Sequence, residues 1–234
     1  MSYTKRFDGR KFDEIRKMEA KIGVIPRADG SAMFKIGDTI AIAGVYGPRS
    51  MFPRFLQNPE KGTLRCNYDM ISFSVTERKR PGPNRRSTEI SLVTEKSLLP
   101  VLDLTQFPNT VVDVFIQITQ ANSGTRCAGI CAASLALAHA GIPMKDLVAA
   151  VSVGKVGDKI VIDLDKKEED YEGGATDIPV AFTGRDKQIS LLQLDGEVTK
   201  DELFEAIELG KKGCEEILKV QKKALKDYFK EEVK

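Results

Sequence analysis

Apolar and polar residues alternate through residues 32–36 and 64–71, and again through 110–119, where Val, Phe and Ile recur. A period of two turns successive side chains to opposite faces, so these stretches predict half-buried strands. Residues 21–25 and 32–36 read as two short strands joined by the turn Ala28-Asp29-Gly30-Ser31. After the turn Gly37-Asp38-Thr39, residues 40–46 are small and apolar on both faces, the mark of a central strand that ends at Gly47-Pro48. From Thr88 to Leu102 the period changes: Ile90, Val93, Ser97 and Leu98 stand at helical spacing. The strand at 110–119 then runs through Gly124-Thr125-Arg126 into a helix over 127–139, with Gly141 and Pro143 as stop signals. Residues 147–156 and 159–164 form a hairpin around Gly157-Asp158, and an acidic loop leads to strands over 177–182 and 188–194. Thr199-Lys200-Asp201-Glu202 is a capping box. It opens a long helix with an apolar stripe of Leu203, Ile207, Gly210, Cys214, Ile217 and Leu225. The pattern predicts an α/β (α+β) sandwich with mixed sheets, one domain over 1–234 built from two parts, about 1–105 and 106–234.

Composition narrows the class. The chain has 234 residues, 41% hydrophobic and 30% charged, which suits a folded protein with a sizeable core. No apolar run approaches the roughly 18 residues of a membrane span, and the charged start lacks a secretory pattern. A cytoplasmic protein without a membrane partner is the expectation. Cys127 and Cys131 are four apart in an alanine-rich stretch, so a helix puts both on one buried face, and with Cys66 and Cys214 they read as reduced core thiols. The single histidine, His139, has no evident partner for metal or nucleophilic chemistry. A net charge of +2 means that any contact with nucleic acid comes from local clusters of Lys and Arg.

Three segments carry possible chemistry. A strand that enters a helix through Gly124 leaves backbone N–H groups unpaired at the helix start, a place that favours an anion. Thr125 adds a hydroxyl and Arg126 a planar fork suited to phosphate; an ordinary helix cap with an exposed arginine accounts for the same residues. The loop over 78–86 has five cations in nine residues. Arg85 and Arg86 fall in a first helical turn, where the dipole disfavours cations unless an anion offsets it; a solvated loop is the plain alternative. Arg54 between Phe52-Pro53 and Phe55 pairs a cation with stacking rings. Asp177 follows an acidic, glycine-bearing loop, where a carboxylate can hold Mg²⁺ or protonate a leaving oxygen, although most acidic loops do neither.

These segments together resemble the RNase PH-type phosphorolytic exoribonucleases. Arg6 to Arg16 looks like the family's opening D-G-R…D-E-x-R block. Ala28-Asp29-Gly30-Ser31 with Gly37-Asp38-Thr39 is similar to its next block, and Val45-Tyr46-Gly47-Pro48-Arg49 is similar to catalytic subunits of archaeal exosomes. The resemblance implies a ribosomal-protein-S5-domain-2-like fold of βαβα units. It implies a hexameric ring of three heterodimers with an inactive paralogue, RNA-binding cap proteins on one face, and single-stranded RNA as substrate. Inorganic phosphate is the co-substrate: it attacks the last phosphodiester and releases a nucleoside diphosphate, and the reverse reaction adds tails. Gly124, Thr125, Arg126 and Arg85 would then bind phosphate. Arg86 would join Asp177 and Asp170 in catalysis, with both acids on Mg²⁺ or another divalent cation. Arg54, Arg80, Arg85 and Arg86 would contact RNA.

The family's two acids are usually six residues apart, whereas Asp170 and Asp177 are seven apart. Tyr171 takes the strict position. Gly173-Gly174 could absorb one added residue, and Glu172 is another candidate partner. Two other functions stay open at this point: a stand-alone homohexamer trimming transfer-RNA ends, and a non-catalytic ring subunit that only binds RNA.

Overall fold

The computed structural model describes residues 3–232; Met1 and Ser2 of the charged start lie outside the described residues. Five strands form the first sheet: β1 (Met18–Ile22), β2 (Gly30–Ile36), β3 (Thr39–Ser50), β4 (Thr63–Met70) and β5 (Thr110–Gln120). Their order is β1-β2-β3-β5-β4, antiparallel except for the parallel pair β4–β5. The run over 40–46 is therefore central, as its two-sided apolar character predicts, with Ala41, Ala43 and Val45 fully buried. The strand expected over 21–25 instead ends at Ile22. Gly23 takes φ +72 and donates its N–H to the Ser31 carbonyl, which turns the chain out of the ladder.

The second sheet holds β6 (Val148–Val156), β7 (Lys159–Ile162), β8 (Ala175–Thr183) and β9 (Ile189–Leu192), ordered β7-β6-β8-β9 and antiparallel throughout. The hairpin around Gly157-Asp158 forms as predicted. Its second arm stops at Ile162 rather than 164, because Asp163 adopts φ +53 and bonds the Ser152 carbonyl at 2.6 Å.

Among the described residues, four α-helices complete the fold. α1 (Arg85–Leu98) starts three residues before the apolar spacing does. Asn84 and Ser87 cap each other's backbone there, a polar signal that a hydrophobic period does not register. α2 (Thr125–His139) is buried on nearly every face and lies between the sheets, against β2 and β3 on one side and β6 on the other. Cys127 and Cys131 of this helix lie near Cys214 of the last helix, Cys66 is buried elsewhere on β4, and all four are free thiols pushed up by burial. His139 does have a partner: its Nδ1 accepts the Ser31 N–H at 2.9 Å, and its ring meets Tyr228 edge-on. α3 (Lys166–Glu169) lies where a loop was expected. α4 (Lys200–Glu232) opens on the predicted capping box and lays its stripe on β6 and β1. A methyl group on Gly210 would stand 2.5 Å from Val180, so the helix can approach β8 this closely only with glycine there.

Candidate active site

The start of α2 is built on two successive left-handed residues, Ser123 (φ +63) and Gly124 (φ +64). Gly124 tolerates this conformation; Ser123 is held in it. Thr39 Oγ1 donates to the Ser123 carbonyl at 2.7 Å and accepts the Asn122 N–H at 2.9 Å. Arg16 donates to the Asn122 carbonyl at 2.5 Å, and the Ser123 hydroxyl donates to Glu169 at 2.6 Å. No side chain caps α2, so the N–H groups of its first turn keep their affinity for an anion. Thr125 is buried at this turn. Arg126 donates to the side-chain oxygen of Gln193, whose amide in turn donates to Glu89 of α1 at 3.1 Å. The guanidinium is thus aimed by a relay from a different helix.

The acidic side comes from the second sheet. Asp177 of β8 pairs in register with Gly154 of β6, and the hydroxyl of Ser152, two residues along, donates to its carboxylate. A methyl on Gly154 would sit 2.2 Å from the Thr176 carbonyl, so this approach of the strands also depends on glycine. Asp195 exchanges two backbone hydrogen bonds with Asp177, 3.0 and 2.9 Å long. Burial holds the Asp177 carboxyl above its ordinary value; Ser152 and Arg126 pull it down, and Asp195 pushes it up again. Glu169 is raised too, by burial first, with the Ser123 bond opposing and Asp177 adding repulsion. Asp170 is different. It ends α3 exposed, with its carboxylate 2.5 Å from Lys166.

The opening block of the chain forms neither strand nor helix between residues 6 and 16, yet it braces both sides of this site. Arg16 grips the Asp163 carboxylate with two bonds, of 2.8 and 2.7 Å. Arg6 is buried and bidentate on Glu168, at 2.8 and 2.7 Å, and also donates to the carbonyls of Ile162 and Asp163. The Tyr3 hydroxyl adds a third bond to Glu168, and Arg10 reaches the Asp163 carbonyl. These arginines fix the segment from β7 to α3 and, through Asn122, the turn that opens α2.

Between the two sides lies a cleft of about 290 Å³, bordered by Arg86, Arg126, Lys166, Asp170, Asp177 and Asp195 among others. Four residues singled out in the sequence, Arg86, Arg126, Asp170 and Asp177, therefore meet in one space, with Gly124 and Thr125 at the adjoining helix start. Arg85 is exposed in the first turn of α1 but does not border the cleft, and neither do Arg80 or Arg54. Arg54 stands in an exposed segment with Phe52 and Phe55. The chain between the two acids makes a turn over 171–174, closed by Gly174 N–H on the Tyr171 carbonyl with Gly174 at φ +92. Glu172 is exposed and outside the cleft lining. Sequence reasoning did not single out Lys166, Glu169, Ser152, Gln193 or Asp195. One available signal was Asp165-x-x-Glu168, a capping box that predicts α3 and so brings Lys166 and Glu169 onto a helix beside the cleft.

The cleft gathers Arg86, Arg126 and Lys166 with the buried Asp177 carboxyl beside an uncapped helix start, an arrangement able to accommodate an anion. Comparisons with known proteins identify the family. The sequence matches the 3′ exoribonuclease family, domain 1, over residues 14–143, and domain 2 of the same family over 146–213. It is 52% identical to the exosome complex component Rrp41 of Thermococcus kodakarensis over 96% of this chain and 90% of that protein. Against the Rrp41 of Methanopyrus kandleri it is 48% identical over 96% and 93%. The fold superposes on the crystal structure of rice (Oryza sativa) Rrp46 with a TM-score of 0.80 and 26% identity, covering 93% of this chain and 98% of the other. The chain belongs to the RNase PH-type 3′ exoribonuclease family.

Proposed function

We propose that this chain is the catalytic ring subunit of an exosome, degrading single-stranded RNA from its 3′ end by phosphorolysis. The observation that carries this reading is the convergence of Arg86, Arg126 and Asp177 on one cleft at the start of α2. Phosphate would sit on the N–H groups of that helix start, against Arg126. Arg86 would offset the charge of the terminal RNA phosphate. With both polyanions held in line, an oxygen of inorganic phosphate attacks the terminal phosphorus, and the bond to the 3′-oxygen of the penultimate nucleotide breaks. The products are a nucleoside diphosphate and an RNA one residue shorter, and the departing 3′-oxygen takes a proton, from Asp177 itself or from a water that a cation on Asp177 would hold. No covalent enzyme intermediate is needed, because the phosphate is itself the nucleophile.

Among the described residues no cluster of three or more His, Cys, Asp or Glu side chains could hold a metal by itself. That suits Mg²⁺, which is usually held by one or two carboxylates together with substrate phosphates and water. Asp177, with repelling carboxyls at Asp195 and Glu169, is an environment a cation would relieve, and Asp170 on the same cleft would be its second protein ligand. The ion would neutralise charge on the phosphates. The proposal extends to a cytoplasmic ring of three heterodimers with an inactive paralogue, cap proteins on one face, and Arg54, Arg80 and Arg85 on the path of the RNA. No helix among the described residues is long and apolar enough to cross a membrane.

The test incubates 5′-labelled RNA with the protein, alone and co-assembled with its paralogue, with and without phosphate. Phosphate-dependent release of nucleoside diphosphates is expected. Equal degradation without phosphate, or release of monophosphates, overturns the reading in favour of hydrolysis.

A further inference from the structure

Beneath the start of α2 lies a group with no role so far. Tyr68, on β4, is 4% exposed, and its hydroxyl is buried without a hydrogen-bond partner. Its ring packs under α2, close enough that a methyl on Gly129 would meet it at 3.5 Å. No bond of proper geometry reaches the hydroxyl, but the Thr125 side chain is close enough to ease its titration against burial, and Arg86 and Arg126 of the cleft act on it in the same direction. A buried phenol usually finds a partner, since leaving it without one is costly. Nothing in the packing requires an oxygen here: a phenylalanine would fill the same space without the penalty. An orphan polar atom retained at a ligand site suggests that its partner arrives with the ligand.

We propose that Tyr68 is a positioning residue for the phosphate site, its hydroxyl donating to Thr125 Oγ1 once inorganic phosphate is bound. A threonine hydroxyl has one proton to give and two lone pairs to accept with. When Thr125 donates to a phosphate oxygen, its own oxygen is free to accept, and the Tyr68 O–H is the donor placed beneath it. That bond fixes the rotamer in which Thr125 points its proton at phosphate. Arg126 binds the anion by charge; Tyr68 through Thr125 selects its orientation. The ligand class is a tetrahedral oxyanion at the helix start, and either free phosphate or the terminal RNA phosphate could present those oxygens. The position of Thr125 in the first turn of α2 favours the free anion, because an uncapped helix start best accommodates a compact ligand.

This inference rests on the phosphorolytic reading, and the experiment separates the two. Wild type and Tyr68→Phe, each assembled with the paralogue, are compared for KM of phosphate at saturating RNA, KM of RNA at saturating phosphate, kcat, and thermal midpoint without phosphate. The expected result is a KM for phosphate raised roughly tenfold, the value of one hydrogen bond in a charged network, with KM for RNA and kcat within about twofold. The thermal midpoint should be unchanged or higher, since the orphan hydroxyl is gone. A rise in KM for RNA instead would place the hydroxyl under the RNA phosphate and overturn the assignment to free phosphate. Unchanged kinetics, or a lower midpoint with all parameters falling together, would reduce Tyr68 to packing. If wild type itself shows no dependence on phosphate, the phosphorolytic reading fails first. Thr125→Val in the Tyr68→Phe background is expected to add little to the KM defect of Thr125→Val alone, because one relay is cut in both; additive defects would overturn the coupling.

Discussion

At the level of single residues, Asp177 and Arg126 stand out in the sequence, but the groups that tune them do not. A carboxylate after a glycine-bearing loop and an arginine after a strand-to-helix glycine are both local signals. Ser152, Gln193 and Asp195 act on those two across the fold, from positions whose neighbours in sequence carry no functional pattern. Ser152 sits in a strand buried on both faces, so one more small residue there looks like packing. Asp170 was legible as an acid near the site. Its pairing with Lys166 was not, because that depends on a four-residue helix inside an acidic stretch. The role given to Asp177 makes a sharp demand. Asp177→Asn keeps the shape and the Ser152 contact but has no proton to deliver and no charge for a cation. Turnover should fall by at least about a hundredfold, in the range of general acid contributions, while RNA affinity measured by filter binding stays within a few fold. Retained turnover would take Asp177 off the list of reacting groups.

At the level of elements, strands follow from periodicity because one-sided burial imposes it, and the all-round buried helix follows from the glycine before it and the stop signals after it. Their ends are set by polar chemistry that periodicity misses. α1 begins at an Asn-Ser cap, α3 at an Asp-Glu cap, and β7 stops at an aspartate in left-handed conformation. Each of these boundaries lies beside the cleft, which is why the site was less legible than the core. The pairing of β6 with β8 carries Asp177 into position, and it tolerates only glycine at 154. Gly154→Ala would place a methyl 2.2 Å from the Thr176 carbonyl and 2.7 Å from Leu164. Overpacking of this kind costs about 1–3 kcal/mol. The thermal midpoint should drop by several degrees. Activity should fall further than the loss of folded protein explains, since Thr176 precedes Asp177. Activity that tracks the folded fraction alone would mean that β8 absorbs the methyl without moving the acid.

At the level of the whole molecule, the buried Arg6–Glu168 pair joins the beginning of the chain to a segment deep in its second half. Burial works to raise the Glu168 carboxyl, but hydrogen bonds from Arg6 and Tyr3 and from the Asp165 backbone outweigh it, so the group titrates below its ordinary value. A lowered carboxyl stabilises the fold above its unfolded value, near 4.5, and that contribution is lost as pH falls through the lower folded value. Glu168→Gln should therefore be less stable at pH 7 by about 3 kcal/mol, the cost of leaving Arg6 buried without its counter-charge. The deficit should narrow as pH drops below about 4.5. Denaturant midpoints of both proteins between pH 7 and pH 3 measure this, and parallel curves would show that Glu168 titrates normally.

The same arginine brace has a consequence in time. Arg6 leaves the ribosome 162 residues ahead of the carboxylate that holds it, and Arg16 precedes Asp163 by 147. A contact of such long range is among the last to close. During synthesis the cations over 78–86 are exposed long before the acids of the second sheet exist. A half-made chain therefore carries the cations of the cleft without its acids, and the cleft is complete only when residues 6–16 meet the segment over 163–168.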